Sequence, residues 1–218
     1  MFTKYGYSTL AKISVLSIAL TLLSLLISND FFKTFIILIA LFLLIFSMYF
    51  FRDPDRATPD RKNVVISPAD GKVLFVKNVY DNKFIQGEAK QISIFMSPLN
   101  VHVNRIPISG KVSYLKYFRG KFFAAFDDKA SQENERVEIG ITSDSAKILF
   151  TQVAGYIARR IVCSIKEGDQ VKMGERFGMI KFGSRVDVVA PQDWFEKVKA
   201  GETVYAGKTI LFEQTAVR

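Results

Sequence analysis

One dipeptide near the C-terminal end of the chain, Gly183-Ser184, has the residue types with which a peptide bond can cleave itself. A serine hydroxyl can attack the carbonyl before it, and glycine tolerates the strained backbone of that attack because it has no Cβ. The resulting ester could eliminate to dehydroalanine, which hydrolyses to a pyruvoyl group at position 184. A pyruvoyl carbonyl can form a Schiff base with an amine and accept electrons, as pyridoxal phosphate does in other enzymes.

Gly-Ser is also a common turn dipeptide, so other parts of the sequence must support this interpretation. Four segments do so: Phe51-Arg52-Asp53-Pro54, Ser67-Pro68-Ala69-Asp70-Gly71, Phe95-Met96-Ser97-Pro98-Leu99-Asn100-Val101-His102-Val103-Asn104-Arg105 and Asp128-Lys129-Ala130-Ser131-Gln132-Glu133-Asn134-Glu135-Arg136. Their order is that of phosphatidylserine decarboxylase proenzymes, and from about residue 50 to its end the chain resembles the short form of that family.

The resemblance implies a self-cleaving zymogen in phospholipid biosynthesis. It would decarboxylate phosphatidylserine to phosphatidylethanolamine through a Schiff base to a pyruvoyl group made from Ser184, with no external cofactor. Cleavage between Gly183 and Ser184 would give a β chain (1–183) and an α chain (184–218), which stay together as a heterodimer; further oligomerisation is left open. The expected partner is phosphatidylserine in an anionic membrane, with no nucleic acid and no metal.

His102, the only histidine of the chain, is a candidate for proton transfer because imidazole titrates near neutral pH. A lone histidine is more often structural, but this one matches the family's histidine-bearing strand, and the resemblance implies a catalytic role. Asp70 matches the family's carboxylate for maturation and could orient or charge-balance an imidazole. Its structural alternative is to begin the turn before Gly71.

Arg105 marks a departure from the family pattern. Longer members carry there a second histidine, three residues after the first, that is assigned to self-cleavage. Either His102 serves both cleavage and decarboxylation, or Asp70 and backbone groups assist maturation without a second histidine. Arg105 itself could bind the lipid phosphate or carboxylate through its forked donors, or it could form a surface salt bridge.

Two other functions remain as alternatives. A membrane-anchored carrier or adaptor without catalysis is suggested by a C-terminal echo, in which residues 166–175 resemble residues 199–208 as in lipoyl and biotinyl domains. Lys129 would then bear the acyl group, although it precedes both copies of the echo. A serine hydrolase of Ser184, His102 and Asp70 would lack the Gly-x-Ser-x-Gly elbow, and self-cleavage would remove its hydroxyl.

The amino-acid composition limits the cofactors and partners that can be expected. The single cysteine, Cys163, excludes an intramolecular disulfide, and one cysteine with one histidine makes a zinc site a poor hypothesis. The formal charge is +9, of which +3 lies in residues 1–62 and +6 in the remainder. This charge favours an anionic lipid surface, whereas no nucleic-acid-binding motif is present.

Two apolar stretches before the chemical residues predict a membrane anchor over residues 1–52. They cover residues 13–28 and 34–51, and a helix over the second would be about 27 Å long, close to the hydrocarbon thickness of a bilayer. Basic residues flank the pair on both sides: Lys4, Lys12, Arg52, Arg56, Arg61 and Lys62. By the positive-inside tendency, both ends lie at the cytoplasmic face. With the resemblance, this predicts a bacterial inner-membrane protein whose catalytic domain faces the cytoplasm.

The decarboxylase domain, 53–218, is predicted to be mainly β. Short bursts of β-branched and aromatic residues alternate with turn signals at Lys72–Val79, Gln91–Met96, Lys111–Phe118, Arg136–Thr142 and Ala146–Val153. The echoed glycine turns are typical of a barrel-sandwich hybrid. We therefore expect a barrel-sandwich-hybrid-like domain after a transmembrane or membrane-embedded helical hairpin.

Overall fold

The computed structural model describes residues 1–121, 123, 133–155, 160–181 and 184–214. The chain divides into two compact units, Met1–Asp55 and Arg56–Arg218. Gly183 of the expected cleavage site lies outside the described residues. So does Lys129, the acylation site of the carrier alternative.

The first unit is a pair of helices, α1 (Tyr7–Ser24) and α2 (Asp30–Phe50). Both are long and apolar enough to cross a membrane. Asn29 caps α2, because its side chain accepts hydrogen bonds from the N–H groups of Phe31 and Phe32. Most of the buried side chains of α1 and α2 are small, which lets the two helix backbones approach closely. The small buried residues are Ser17, Ser24, Ala40 and Ser47.

The second unit is built from strands. In chain order they are β1 (Val64–Ile66), β2 (Gly71–Asp81), β3 (Gly87–Met96), β4 (Val103–Arg105), β5 (Gly110–Phe118), β6 (Arg136–Thr142), β7 (Lys147–Ala154), β8 (Ile161–Cys163), β9 (Gln170–Val171), β10 (Arg176–Ile180), β11 (Ser184–Pro191), β12 (Trp194–Glu196), β13 (Thr203–Val204) and β14 (Ile210–Gln214). The predicted fold class, a mainly β domain preceded by two apolar helices, is confirmed.

The strands form three antiparallel sheets. The largest is curled and has the order β13-β2-β3-β11-β7-β6-β5-β9, while the smaller sheets have the orders β1-β14-β12 and β4-β10-β8. The five strands predicted from the sequence correspond to β2, β3, β5, β6 and β7. All five lie in the large sheet.

The main hydrophobic core lies on the face of the large sheet to which every second residue of its central strands points. Ile94, Phe150 and Val188 point into this core and are fully buried. The rings of Phe150 on β7 and Phe177 on β10 meet edge to face, with centroids 5.4 Å apart. Because β7 and β10 belong to different sheets, this contact joins the two layers.

The echoed segments predicted from the sequence occupy equivalent places in the fold. Their strands, β9 and β13, are the two edge strands of the large sheet. Each strand is followed by a glycine in the left-handed region, Gly174 with φ 86° and Gly207 with φ 77°. A side chain with a Cβ would be strained there, so the glycine spacing reflects real turns.

A second pair of segments is also duplicated, although this was not predicted from the sequence. Ser67-Pro68-Ala69-Asp70-Gly71-Lys72-Val73 and Ile106-Pro107-Ile108-Ser109-Gly110-Lys111-Val112 make the same contacts. Gly207 N donates to the carbonyl of Ser67, and Gly174 N donates to that of Ile106. Each valine exchanges backbone hydrogen bonds with the first glycine turn of its own echo. The domain therefore has internal twofold pseudosymmetry.

The contact between Phe150 and Phe177 yields a prediction about stability. Phe150→Ala should lower the free energy of unfolding by about 3–5 kcal/mol, because it leaves a cavity between two sheets. Tyr80→Ala, at a side chain 67% exposed, is the matched control and should change it by less than about 0.5 kcal/mol. Reversible denaturant unfolding in detergent, with the chain kept whole by Ser184→Ala in every variant, measures both. Equal effects would mean that the layers do not depend on this contact.

Candidate active site

Ser184 is the first residue of β11, a central strand of the large sheet. It pairs with Met96 of β3 on one side and with Ala154 of β7 on the other. The side chain is fully buried, and its hydroxyl donates to the thioether sulfur of Met96 at 3.3 Å. A thioether is a weak acceptor, so this contact positions the hydroxyl without strongly engaging its proton.

The expected cleavage site lies in a short connection between two well-anchored strands. β10, which ends at Ile180, is the central strand of its small sheet, between β4 and β8. β11, which begins at Ser184, is hydrogen-bonded along both edges to β3 and β7. The backbone on each side of residues 181–183 is therefore held by two neighbouring strands.

His102 lies directly before β4 and is fully buried. Its Nδ1 is 2.9 Å from the backbone oxygen of Asn100. A carbonyl can only accept, so Nδ1 carries a proton, and in the neutral ring Nε2 is the basic nitrogen. The loop before His102 is fixed by the side-chain oxygen of Asn100, which accepts from both N–H and hydroxyl of Ser97.

Two buried amides, Asn104 and Gln152, form a cluster with Met96 and Ser184. Gln152 Nε2 donates to Asn104 Oδ1 at 2.8 Å. Asn104 Nδ2 contacts the sulfur of Met96 at 3.8 Å and donates to the carbonyl of Pro68 at 3.3 Å. These contacts connect Ser184, through Met96, to the two amides. His102 precedes Asn104 by two residues along the chain.

Neither amide received a role from the sequence. Asn104 lies inside the segment that carries the family resemblance, next to more conspicuous charged residues. Gln152 had a detectable signal, because it is the amide in the otherwise apolar or hydroxylic run Ile148-Leu149-Phe150-Thr151-Gln152-Val153 and occupies a core-facing position of that strand. A polar side chain at such a position requires partners that only the folded chain can supply.

Asp70 forms a buried ion pair with Arg56. Both carboxylate oxygens receive donors from the guanidinium, and Arg56 Nη2 lies 2.7 Å from Asp70 Oδ2. The backbone N–H of Ala206 donates to Asp70 Oδ1 at 2.8 Å, and Arg56 also donates to the carbonyl of Ala206. From the sequence, Arg56 counted only as one of the basic residues after the membrane segment. The structure gives it a specific partner.

Comparison of the two pseudosymmetric copies distinguishes the structural hydrogen bond of Asp70 from its negative charge. Its equivalent in the other copy is Ser109, whose hydroxyl accepts from the backbone N–H of Met173 at 2.9 Å, as Asp70 accepts from that of Ala206. Holding this backbone N–H is therefore a structural task that a serine can also perform. The negative charge, and its pairing with Arg56, belong to the Asp70 copy.

Arg105 occupies the space between the two left-handed glycine turns. It is 5% exposed and donates to the carbonyl of Gly174 at 3.0 Å. A Cβ on Gly207 would lie 2.8 Å from Arg105 Cδ, so the close packing there requires glycine. The side chain therefore does not lie at the surface, and its binding of a lipid head group stays a prediction.

The environment of Cys163 matches a structural cysteine. Burial raises the pKa of its thiol, so the sulfur is protonated and a poor nucleophile near neutral pH. Within the part of the chain that the structure describes, no three side chains of His, Cys, Asp or Glu come together as a metal site would require.

Comparison with known proteins gives a consistent family. The profile of a family described as phosphatidylserine decarboxylase matches residues 43–212. Proteins named phosphatidylserine decarboxylase proenzyme are similar to this chain over 97% of its length. That from Chlorobium limicola is 48% identical, with 99% of the relative covered. Those from Chlorobium phaeovibrioides and Pelodictyon phaeoclathratiforme are 51% and 48% identical, with 95% and 99% covered.

Proposed function

Because the chain belongs to the phosphatidylserine decarboxylase family, we propose that it is a zymogen that cleaves itself before Ser184 and decarboxylates phosphatidylserine with the resulting pyruvoyl group. The observation that carries this proposal is the position of Ser184. It is a fully buried serine at the first residue of a central strand, with its hydroxyl held by a sulfur.

The arrangement of the strands supports a cleaved enzyme that stays assembled. The α chain would contribute β11, β12, β13 and β14. Of these, β11 is hydrogen-bonded to β3 and β7, β13 to β2, and β14 to β1. All four partner strands belong to the β chain. Cutting one bond therefore removes a covalent link but none of these pairings.

The surroundings of position 184 fit a pyruvoyl group. The position is fully buried, and Asn104 Nδ2, whose contact with the sulfur of Met96 is weak, is a donor close to it that a carbonyl oxygen can accept from. The group would be covalently part of the α chain and would be bordered by Met96 and the two amides. Once formed, it would supply an electrophile for the substrate amine and a sink for the electron pair that departing CO2 leaves behind.

We assign proton transfer during turnover to Nε2 of His102. Nδ1 is committed to the carbonyl of Asn100, so Nε2 is the ring nitrogen that can take or return a proton near neutral pH. The rigid turn from Ser97 to Asn100 begins directly after Met96, which contacts Ser184. This supports a position of the imidazole near the reacting group.

Asp70 is proposed to act in maturation rather than turnover. Its charge distinguishes it from the equivalent Ser109, and Arg56 holds the carboxylate in one orientation through a bidentate pair. With Arg105 in place of a second histidine, two routes remain: His102 serves both steps, or Asp70 and backbone groups carry out cleavage. Arg105 as a ligand of the lipid phosphate or carboxylate belongs to the same proposal.

The proposed location is the bacterial inner membrane, with the catalytic domain on the cytoplasmic side. Two apolar helices of membrane-spanning length and the net positive charge of the remaining chain support it. The substrate is itself an anionic lipid, so a basic domain would be drawn to the surface that contains it. Family membership favours this function over the carrier and the serine hydrolase.

Intact-mass analysis tests the proposal directly. The purified protein should consist of chains 1–183 and 184–218 that copurify under native conditions and separate on denaturation. The shorter chain should carry a carbonyl and no free α-amine. Ser184→Ala should remain one inactive chain, whereas Ser113→Ala, at an exposed serine of β5, should cleave normally. Full activity from an uncut wild-type chain would refute the proposal.

A second prediction separates the charge of Asp70 from its structural hydrogen bond. The double variant Arg56→Met with Asp70→Ser leaves no unpaired charge buried and keeps a hydroxyl like that of Ser109. It should fold, as thermal unfolding would verify, yet cleave about 100-fold or more slowly, in the range for loss of an acid or base. Ser109→Ala is the control and should cleave at the wild-type rate. Normal cleavage of the double variant would show that maturation does not require the charge of Asp70.

A third prediction concerns His102. In His102→Ala, the rate of CO2 release from phosphatidylserine per carbonyl-bearing α chain should fall by about 100-fold or more, because proton transfer at Nε2 is removed. Normalising to carbonyl content separates turnover from maturation. Impaired cleavage would mean that His102 serves both steps, and unimpaired cleavage that it serves turnover alone. Wild-type CO2 release per carbonyl would exclude His102 from the reaction.

A further inference from the structure

The side chain of Gln152 has a buried polar atom, Oε1, whose partner remains to be explained. The side chain is fully buried, and its Nε2 is committed to Asn104. Oε1 has no hydrogen-bond partner in the described portion of the chain. Buried polar groups are nearly always satisfied in native proteins, so an unsatisfied one beside a candidate active site requires an explanation.

The hydrogen-bond network identifies this atom as an acceptor. The carbonyl of Pro68 can only accept, so the atom of Asn104 that faces it, at 3.3 Å, is the nitrogen Nδ2. Oδ1 of Asn104 therefore faces Gln152, and the atom of Gln152 that approaches it must be Nε2. The remaining atom is the carbonyl oxygen, which only a donor can satisfy.

Strand register brings this oxygen to the side of the sheet that holds Ser184. On β7 and β11, Gln152 lies opposite Val186, and Ala154 lies opposite Ser184. Diagonal neighbours on one face of an antiparallel pair are about 7–8 Å apart, within reach of a long side chain. The contacts from Gln152 through Asn104 and Met96 to Ser184 connect the same groups independently.

We propose that Gln152 Oε1 accepts a hydrogen bond from the amine nitrogen of the substrate, and that Asn104 holds the amide in that orientation. This inference rests on the proposed function. Conversion of Ser184 removes its hydroxyl, so that group cannot satisfy Gln152 in the mature enzyme. Val186, opposite Gln152, and Ala154, two residues further along β7, have apolar side chains and offer no hydrogen bond to a resident water, which would need two or more polar partners.

A neutral amide suits this role better than a carboxylate would. Only an unprotonated amine attacks a carbonyl, and a nearby carboxylate would favour the protonated form. An amide oxygen orients the nitrogen with much less bias toward the cation. Gln152 would therefore favour primary amines, because a primary amine keeps an N–H after its nitrogen has bonded to a carbonyl carbon.

The test compares wild type, Gln152→Met, Gln152→Glu and Thr151→Val, each as full chain in detergent. Thr151 is the matched control, because it neighbours Gln152 on β7 but points to the opposite face of the sheet. Cleavage and carbonyl content are measured by mass. Capture of ethanolamine and of N-methylethanolamine on the α chain is then followed with cyanoborohydride as the reductant.

Gln152→Met should cleave and carry the wild-type amount of carbonyl, yet capture ethanolamine about 10- to 100-fold more slowly, as for loss of a hydrogen bond to a charged or polarised group. Its preference for ethanolamine over N-methylethanolamine should fall well below that of wild type. Gln152→Glu, which keeps an acceptor, should retain the preference, and Thr151→Val should match wild type in both measurements.

The possible failures are distinguishable. A wild-type chain that stays uncut and carries no carbonyl would refute the proposed function. A cleaved, carbonyl-bearing Gln152→Met with wild-type capture and preference would refute only the role of Gln152. Loss of cleavage in both Gln152→Met and Gln152→Glu would also overturn it, because Gln152 would then act in folding or self-cleavage. If only the glutamate variant matures, loss of its preference for ethanolamine overturns the proposal.

Discussion

The pairing of β11 with a strand on each side is the constraint on which the candidate site depends. It places Ser184 opposite Met96 and Ala154, and it leaves the preceding connection as the place where the chain passes from a small sheet into the large one. A slip of one residue would turn Ser184 to the opposite face. The same register sets Gln152 close to Ser184, so the candidate nucleophile and the buried amides are positioned by one set of backbone hydrogen bonds.

The pseudosymmetry shows how a specialised site can occupy one half of a duplicated scaffold. Both copies need an oxygen that accepts from the backbone N–H of a glycine turn, and both have one. Only one copy uses a carboxylate and pairs it with an arginine. The scaffold therefore tolerates a neutral side chain at this position, and a structural need for the backbone hydrogen bond does not account for the charge of Asp70.

Much of this architecture could be predicted from local patterns. The five strands predicted from the sequence all exist, because short runs of β-branched and aromatic residues between turn signals are typical of strands. The short edge strands β9 and β13 could not be predicted as strands, since two residues carry no periodicity, although their glycines revealed the echo. Resemblance to a family pointed to Ser184, His102 and Asp70 as site residues, and their roles stay predictions. Arg56 and Gln152 were missed because their significance depends on partners distant in sequence.

The position of β11 between two other strands also affects how the chain could refold after cleavage. An uncut chain can find this strand's register with both flanking segments covalently attached. A cut chain that unfolds must recapture a short separate fragment and insert it between two strands that would otherwise close on each other. Folding and unfolding would then follow different paths, with a native state that persists because its loss is slow rather than because it is readily regained. A chain cut before Ser184 would then fold once, before cleavage, and would not refold after it had unfolded.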